Sequence, residues 1–174
     1  MYKITEATDK EELLAAIDKE VSQLVNLMSF LNEAKINIVP YENSWTADQL
    51  FRHVAKSTNA MAKAMRMQSR PAERDAGEKI PMLKKTFLDF SSKLKSPDFI
   101  VPEEGPYEKQ AAIEELNKSF EQLKENTSNA NLADMADNLP LGAITKLEML
   151  HFVLYHTQRH LHQMKKITDA LKNK

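Results

Sequence analysis

Residues 145–171, TKLEMLHFVLYHTQRHLHQMKKITDAL, decide the fold. Thr145 can cap a helix, and Glu148 three residues on completes a capping box, which predicts a helix running to about Leu171. With His151 set at zero and about 100° per residue, Met149, Leu150, Phe152, Val153, Leu154, Leu161, Met164, Ile167 and Leu171 fill an arc from about 100° to about 300°. His156 and His160 fall inside that arc, near about 140° and about 180°. His151 and His162 fall outside it, with Tyr155, and are expected to be solvated.

The inward pair is spaced i, i+4, so its β-carbons lie roughly 6 Å apart on neighbouring turns. Two imidazoles so placed can point at one cation, with metal–nitrogen bonds of about 2.0–2.1 Å. The same spacing also occurs on solvated helices, or where two rings satisfy each other's hydrogen bonds. A metal site needs a further ligand from another helix. His53 is the one remaining histidine of the five, and it sits at the edge of an earlier helix's apolar arc, near Ser57.

That earlier helix starts in SWTADQLF, residues 44–51. Thr46 is the expected N-cap, Gln49 reaches back to it, and Trp45 with Leu50 can form a hydrophobic staple. Its stripe continues through Val54, Met61 and Met65. A first helix follows TDKEE, with Thr8 or Asp9 as cap and Glu11 or Glu12 closing the box. Leu13, Leu14, Ile17, Val21, Leu24, Val25, Met28 and Leu31 then repeat at helical spacing, and Pro40 bounds the helix. Another helix is expected over about 107–126, with Ala112, Ile113, Leu116, Phe120 and Leu123 inward. Between residues 81 and 106 the pattern weakens: MLKKTFLDFSSKLK reads as a short helix and SPDFIVPEEGP as a proline-rich connection. Four long amphipathic helices make an all-α four-helix bundle, one domain over 1–174, with longer loops between the helices. Segments 68–82 and 96–107 are expected to shape the mouth of any pocket.

Composition agrees. Three glycines, abundant Ala, Leu, Lys and Glu, and 28% charged residues favour helix. A formal net charge of −1 lacks the basic footprint of a nucleic-acid binder. No apolar run reaches membrane-span length, and the polar N-terminus reads as neither signal nor transit peptide. Without cysteine there is no disulfide, thiolate nucleophile or thiolate-ligated zinc. The expected compartment is cytoplasmic. No P-loop, dinucleotide fingerprint or hydrolase elbow occurs.

Two windows carry a family resemblance. SWTADQLFRHVAKS, residues 44–57, resembles the second-helix motif of the DinB-like superfamily: a Trp, a Ser or Thr cap, then a His several residues on. YHTQRHLHQ, residues 155–163, resembles its last-helix motif, two histidines four apart followed by Gln three residues later. The longer stretch NLPLGAITKLEMLHFVLYHTQRHLHQ is similar to one branch with a Gly-containing turn and a Thr-capped helix. The resemblance implies a DinB/YfiT-like four-helix bundle, often a homodimer, with a divalent metal held by His53, His156 and His160. Two departures stand out. The family's extra histidine directly before the second ligand is Arg159 here, and His162 takes a position not usually histidine.

Three histidines leave a zinc or nickel ion an open position, as at catalytic sites. The expected function is a metal-dependent enzyme, a thiol-dependent S-transferase or a hydrolase, acting on a small-molecule substrate. A low-molecular-weight thiol would arrive as co-substrate. No nucleic-acid or membrane partner is expected. The rival is a non-catalytic ligand-binding or interaction bundle with a structural or vestigial metal. Neither Glu148, placed near the polar side of its helix, nor Asp48 is assigned as a base. Trp45 is read as a staple and core anchor, the methionines as core filler, and Gln163 either as a group orienting a ligand or bound water or as a partner in a simple interhelical hydrogen bond.

Overall fold

The computed structural model describes residues 6–172. The first helix, α1 (Glu6–Ser29), is already helical ahead of Thr8 and Asp9, so these two lie inside it instead of capping it. Leu13, Ile17, Val21, Leu24 and Met28 are buried along one face, with Leu14 and Val25 packed at its margins. A single turn unforeseen in the sequence, α2 (Glu33–Ile36), follows, because the Asn32 side chain accepts from the Lys35 N–H and caps it. It buries Ile36.

The next long helix, α3 (Ala47–Ala64), begins where the sequence places it. Thr46 Oγ1 accepts from the Gln49 N–H and Gln49 Oε1 accepts from the Thr46 N–H, both at 3.1 Å. Short α4 (Ile80–Leu88) carries Pro81 in its first turn, where a missing N–H costs no hydrogen bond. After a 3-10 turn at Asp98–Ile100 come α5 (Lys109–Ser128) and α6 (Lys146–Lys172). Ala112, Leu116, Phe120 and Leu123 of α5 are buried as expected, and Ile113 is half-buried.

Four helices close a ring: α3 packs on α5 and α6, and α1 packs on α6 and α5, while α4 lies outside against α6. One contiguous apolar core fills the interior. The α3–α6 contact is what brings the two histidine-bearing windows face to face.

A small antiparallel sheet, order β1-β2-β3, was not foreseen: β1 (Arg70–Pro71), β2 (Asp134–Ala136) and β3 (Ile144–Thr145). Met135 pairs with both Arg70 and Thr145. Between β2 and β3 the Gly142 N–H donates to the Leu139 carbonyl at 2.8 Å, with Gly142 at φ +74, where a Cβ would be strained.

The start of α6 is fastened at Glu148, which is buried, not on a polar face as its helical angle suggested. Its carboxylate accepts from the Thr145 N–H (2.9 Å), the Lys79 N–H (2.8 Å) and both Arg74 terminal nitrogens (2.7 Å each). Thr145 Oγ1 accepts from the Glu148 N–H and donates to the Ala76 carbonyl. The capping box therefore also anchors the connection between α3 and α4. These paired bonds outweigh desolvation and hold the carboxyl below its ordinary range.

Candidate metal centre

The structure brings His53, His156 and His160 together: all three are buried, and one ring nitrogen of each lies within 4.8 Å of the others. His156 Nε2 stands 3.0 Å from His53 Nε2 and 3.1 Å from His160 Nε2. Nitrogens bound tetrahedrally at about 2.0–2.1 Å from one ion stand roughly 3.3 Å apart, close to this spacing.

The outer nitrogens set the tautomers. His53 Nδ1 lies 2.9 Å from the Ile100 carbonyl, and His160 Nδ1 lies 3.0 Å from Gln163 Oε1. Both oxygens can only accept, so each Nδ1 carries a proton and each Nε2 presents a lone pair. At most one proton, on His156 Nε2, is then available to three facing nitrogens. A cation satisfies all three lone pairs, so the donor set fits a metal ion. Gln163 thus holds the outer nitrogen of His160, one turn back on the same helix.

Burial keeps these rings neutral, the form that binds metal. Desolvation, then repulsion from His53, pushes His160 down to about 3. His156 is driven well below the ordinary histidine value by burial and then by the two neighbouring imidazoles. Burial also lowers His53, partly offset by the Ile100 carbonyl.

Aromatic rings sheathe the cluster. Phe152 stacks on His156 with centroids 5.2 Å apart, and Phe87 meets the same ring edge-on at 6.0 Å. Trp45 is half-buried, 4.7 Å from the His53 ring and 6.4 Å from His160. It flanks the site, a position that a local staple reading does not reveal. His151 and His162 stay outside the cluster but are half-buried, not solvated. His151 Nδ1 lies 3.2 Å from the Tyr155 hydroxyl, and His162 stacks on Phe90 at 4.2 Å.

Two openings meet at the cluster. A cavity of about 280 Å3 reaches His53, His156 and His160 and is walled mostly by apolar side chains, Met61, Phe87, Phe99 and Phe152 among them. A wider groove of about 690 Å3 runs past Trp45, His160 and Gln163. The segment 96–107 contributes Ser96, Pro97, Phe99 and Ile100 to the cavity wall, as expected. The segment 68–82 lines neither opening, because β1 and the Glu148 node hold it elsewhere; residues 86–95 take that place. Arg159, between the two α6 histidines, fastens this strap by donating to the backbone carbonyls of Phe87, Asp89 and Ser92.

Neither acidic side chain weighed in the sequence serves the cluster. Glu148 is bound at its node. Asp48 is buried with Oδ2 accepting from Arg52 Nε at 3.2 Å, while Arg52 also pairs with Glu115 at 2.9 Å. Asp48 Oδ1 has no hydrogen-bond partner, and desolvation raises the carboxyl to about 6 despite Arg52. What the sequence missed, the Trp45, Phe87 and Ile100 contacts, involves backbone carbonyls or rings far apart in the chain, for which spacing gives no signal.

No helix among the described residues is long and apolar enough to cross a membrane. No curated protein and no solved structure matches the chain. Residues 16–164 match the DinB superfamily, a span that takes in all three clustered histidines and Gln163. With the matched span covering most of its length and the bundle and histidine cluster in place, this chain belongs to the DinB superfamily.

Proposed function

We propose that the protein is a metal-dependent enzyme in which His53, His156 and His160 hold a divalent ion, zinc or nickel, and that it transfers a low-molecular-weight thiol to a small electrophile. The observation that carries this reading is the convergence of three buried, neutral imidazole nitrogens at the end of an open cavity. Such an ion, when bound, supplies a Lewis acid that lowers the pKa of a coordinated water or thiol.

The remaining work falls to the chain. Ile100 and Gln163 fix the outer protons of His53 and His160, so their inner lone pairs stay aimed without rearrangement. Phe87 and Phe152 keep water from the far side of His156. The chain has no cysteine, so the sulfur nucleophile enters as a co-substrate: its S–H proton passes to solvent, and sulfur bonds to the electrophilic atom as the leaving group departs.

The cavity is lined by no carboxylate among the described residues. That favours thiol transfer over the hydrolase reading. A thiol of pKa about 8.5 loses its proton far more readily than water, so it needs a side-chain base less. The same absence also supports a second reading, a bundle that binds a ligand without turnover.

Metal analysis of protein purified without nickel resin, alongside His156→Ala, tests the site. One ion per chain, lost in the variant, is the expected result; metal-free wild type overturns the reading. A panel of thiols and electrophiles, run with and without chelation, then separates the readings. Turnover abolished by chelation in a still-folded protein supports the enzyme, whereas unfolding on chelation marks the ion as structural. We also propose a homodimer, on family resemblance; sedimentation showing only monomer removes it.

A further inference from the structure

The two openings at the histidine cluster differ in chemical character. The cavity is apolar for most of its wall. The groove is rimmed by Lys93, Lys95, Arg159 and Lys166, against a single carboxylate, Asp98. This local excess of positive charge belongs to a chain whose overall formal charge is −1. Lys93, Lys95 and Lys166 are exposed, and their ammonium groups form no hydrogen bond or ion pair with any described residue. Arg159 spends its donors on three backbone carbonyls, and the nearby Asp89 carboxylate offsets part of its charge, so the lysines carry the groove's positive excess. Lysines without ion-pair partners on one concave surface raise the local concentration of anions.

The openings are also adjacent. Leu94, Lys95, Ser96, Arg159 and His160 line both, so the strap is a partition between them and His160 stands at its foot.

We infer that the site takes two ligands of opposite character at once: an uncharged, hydrocarbon-rich molecule in the cavity, and a small anion bearing carboxylate or phosphate groups in the groove, their reactive ends meeting beside His160. This deepens the transferase reading and rests on it for the meaning of that meeting, with the anionic partner carrying the thiol and the apolar one the electrophilic atom. The binding itself requires neither turnover nor an ion.

Trp45, the only tryptophan of the chain, lines the groove and serves as its reporter. Succinate and inorganic phosphate, the carboxylate and phosphate probes, are titrated against Trp45 emission. The protein is used as purified and again after chelation and dialysis. N-phenyl-1-naphthylamine, a neutral dye that brightens when desolvated, reports the cavity. At least one anion is expected to change Trp45 emission with or without metal, more weakly as salt is raised. Lys93→Glu/Lys166→Glu, at two lysines that line the groove alone, is expected to weaken that anion at least about tenfold and leave the dye unchanged. Phe99→Ser, at an exposed cavity-wall residue, is expected to weaken the dye alone. Dye and anion bind together.

Equal anion binding by wild type and the double variant, or no anion binding at all, overturns the inference. So does mutual exclusion of dye and anion, which marks one continuous amphipathic ligand. Because these arms run on metal-free protein as well, an empty metal site leaves their outcome readable. The relative strength of succinate and phosphate identifies the anionic group.

Discussion

Holding three neutral imidazoles together makes the metal-free protein sensitive to acid in a calculable way. His160 falls from its ordinary 6.5 to about 3 in the fold. Below pH 6.5 the unfolded chain therefore binds a proton there that the folded chain refuses. Stability is complete above that pH and is lost as pH falls towards 3. One proton corresponds to about 1.4 kcal/mol per pH unit, so between pH 6.5 and 5 His160 alone removes about 2 kcal/mol. His53 and His156 shift in the same direction and steepen the loss.

Asp48 acts in the opposite sense. Its raised carboxyl binds a proton in the fold before the unfolded chain does, so the raw pH profile mixes two trends. The informative quantity is the difference between wild type and His160→Gln, in which the Asp48 contribution cancels. Urea unfolding of chelated protein, followed by far-UV circular dichroism at pH 7, 6, 5.5 and 5, is expected to show the variant gaining about 2 kcal/mol on wild type as pH falls. Parallel profiles for the two proteins would mean that His160 titrates freely, and the reasoning about a neutral, metal-ready cluster would fail.

Asp48→Asn removes a carboxyl whose pKa is raised from 3.8 to about 6. It is expected to stabilise the protein by about 2–3 kcal/mol at pH 7 and by essentially nothing at pH 4, measured in the same assay. Glu148→Ala strands the Arg74 guanidinium and the Thr145 and Lys79 N–H groups. A loss of about 3–5 kcal/mol is expected, a melting temperature lower by roughly 10 °C in calorimetry, and a loss under about 1 kcal/mol refutes the node. Gln163→Leu frees the outer nitrogen of His160. It is expected to weaken zinc or nickel binding about 10- to 100-fold in competition with a chromophoric chelator, with unchanged circular dichroism.

The caps at Thr46 and Thr145 were legible because each is a local pattern of four residues, and both form reciprocal boxes in the structure. His156 and His160 were legible because helical phase alone turns them into the bundle. Seating His53 opposite them required the α3–α6 contact, which periodicity suggests but does not specify. The sheet stayed hidden because strands of two or three residues carry no period. Glu148 was misplaced by its angle, since its partner Arg74 lies far back in the chain and burial of a paired carboxylate breaks the polar-out rule. Trp45 was assigned locally to Leu50, while its ring contacts are with histidines that only the tertiary fold delivers.

Arg159 lies between His156 and His160 along the helix, and its guanidinium grips the strap by three main-chain oxygens. The strap is consequently tied to the same helix that carries two of the three rings. On the proposed transferase reading, lengthening or shortening a substrate by a carbon or two changes how far its reactive end reaches past the strap, and turnover is expected to follow that length.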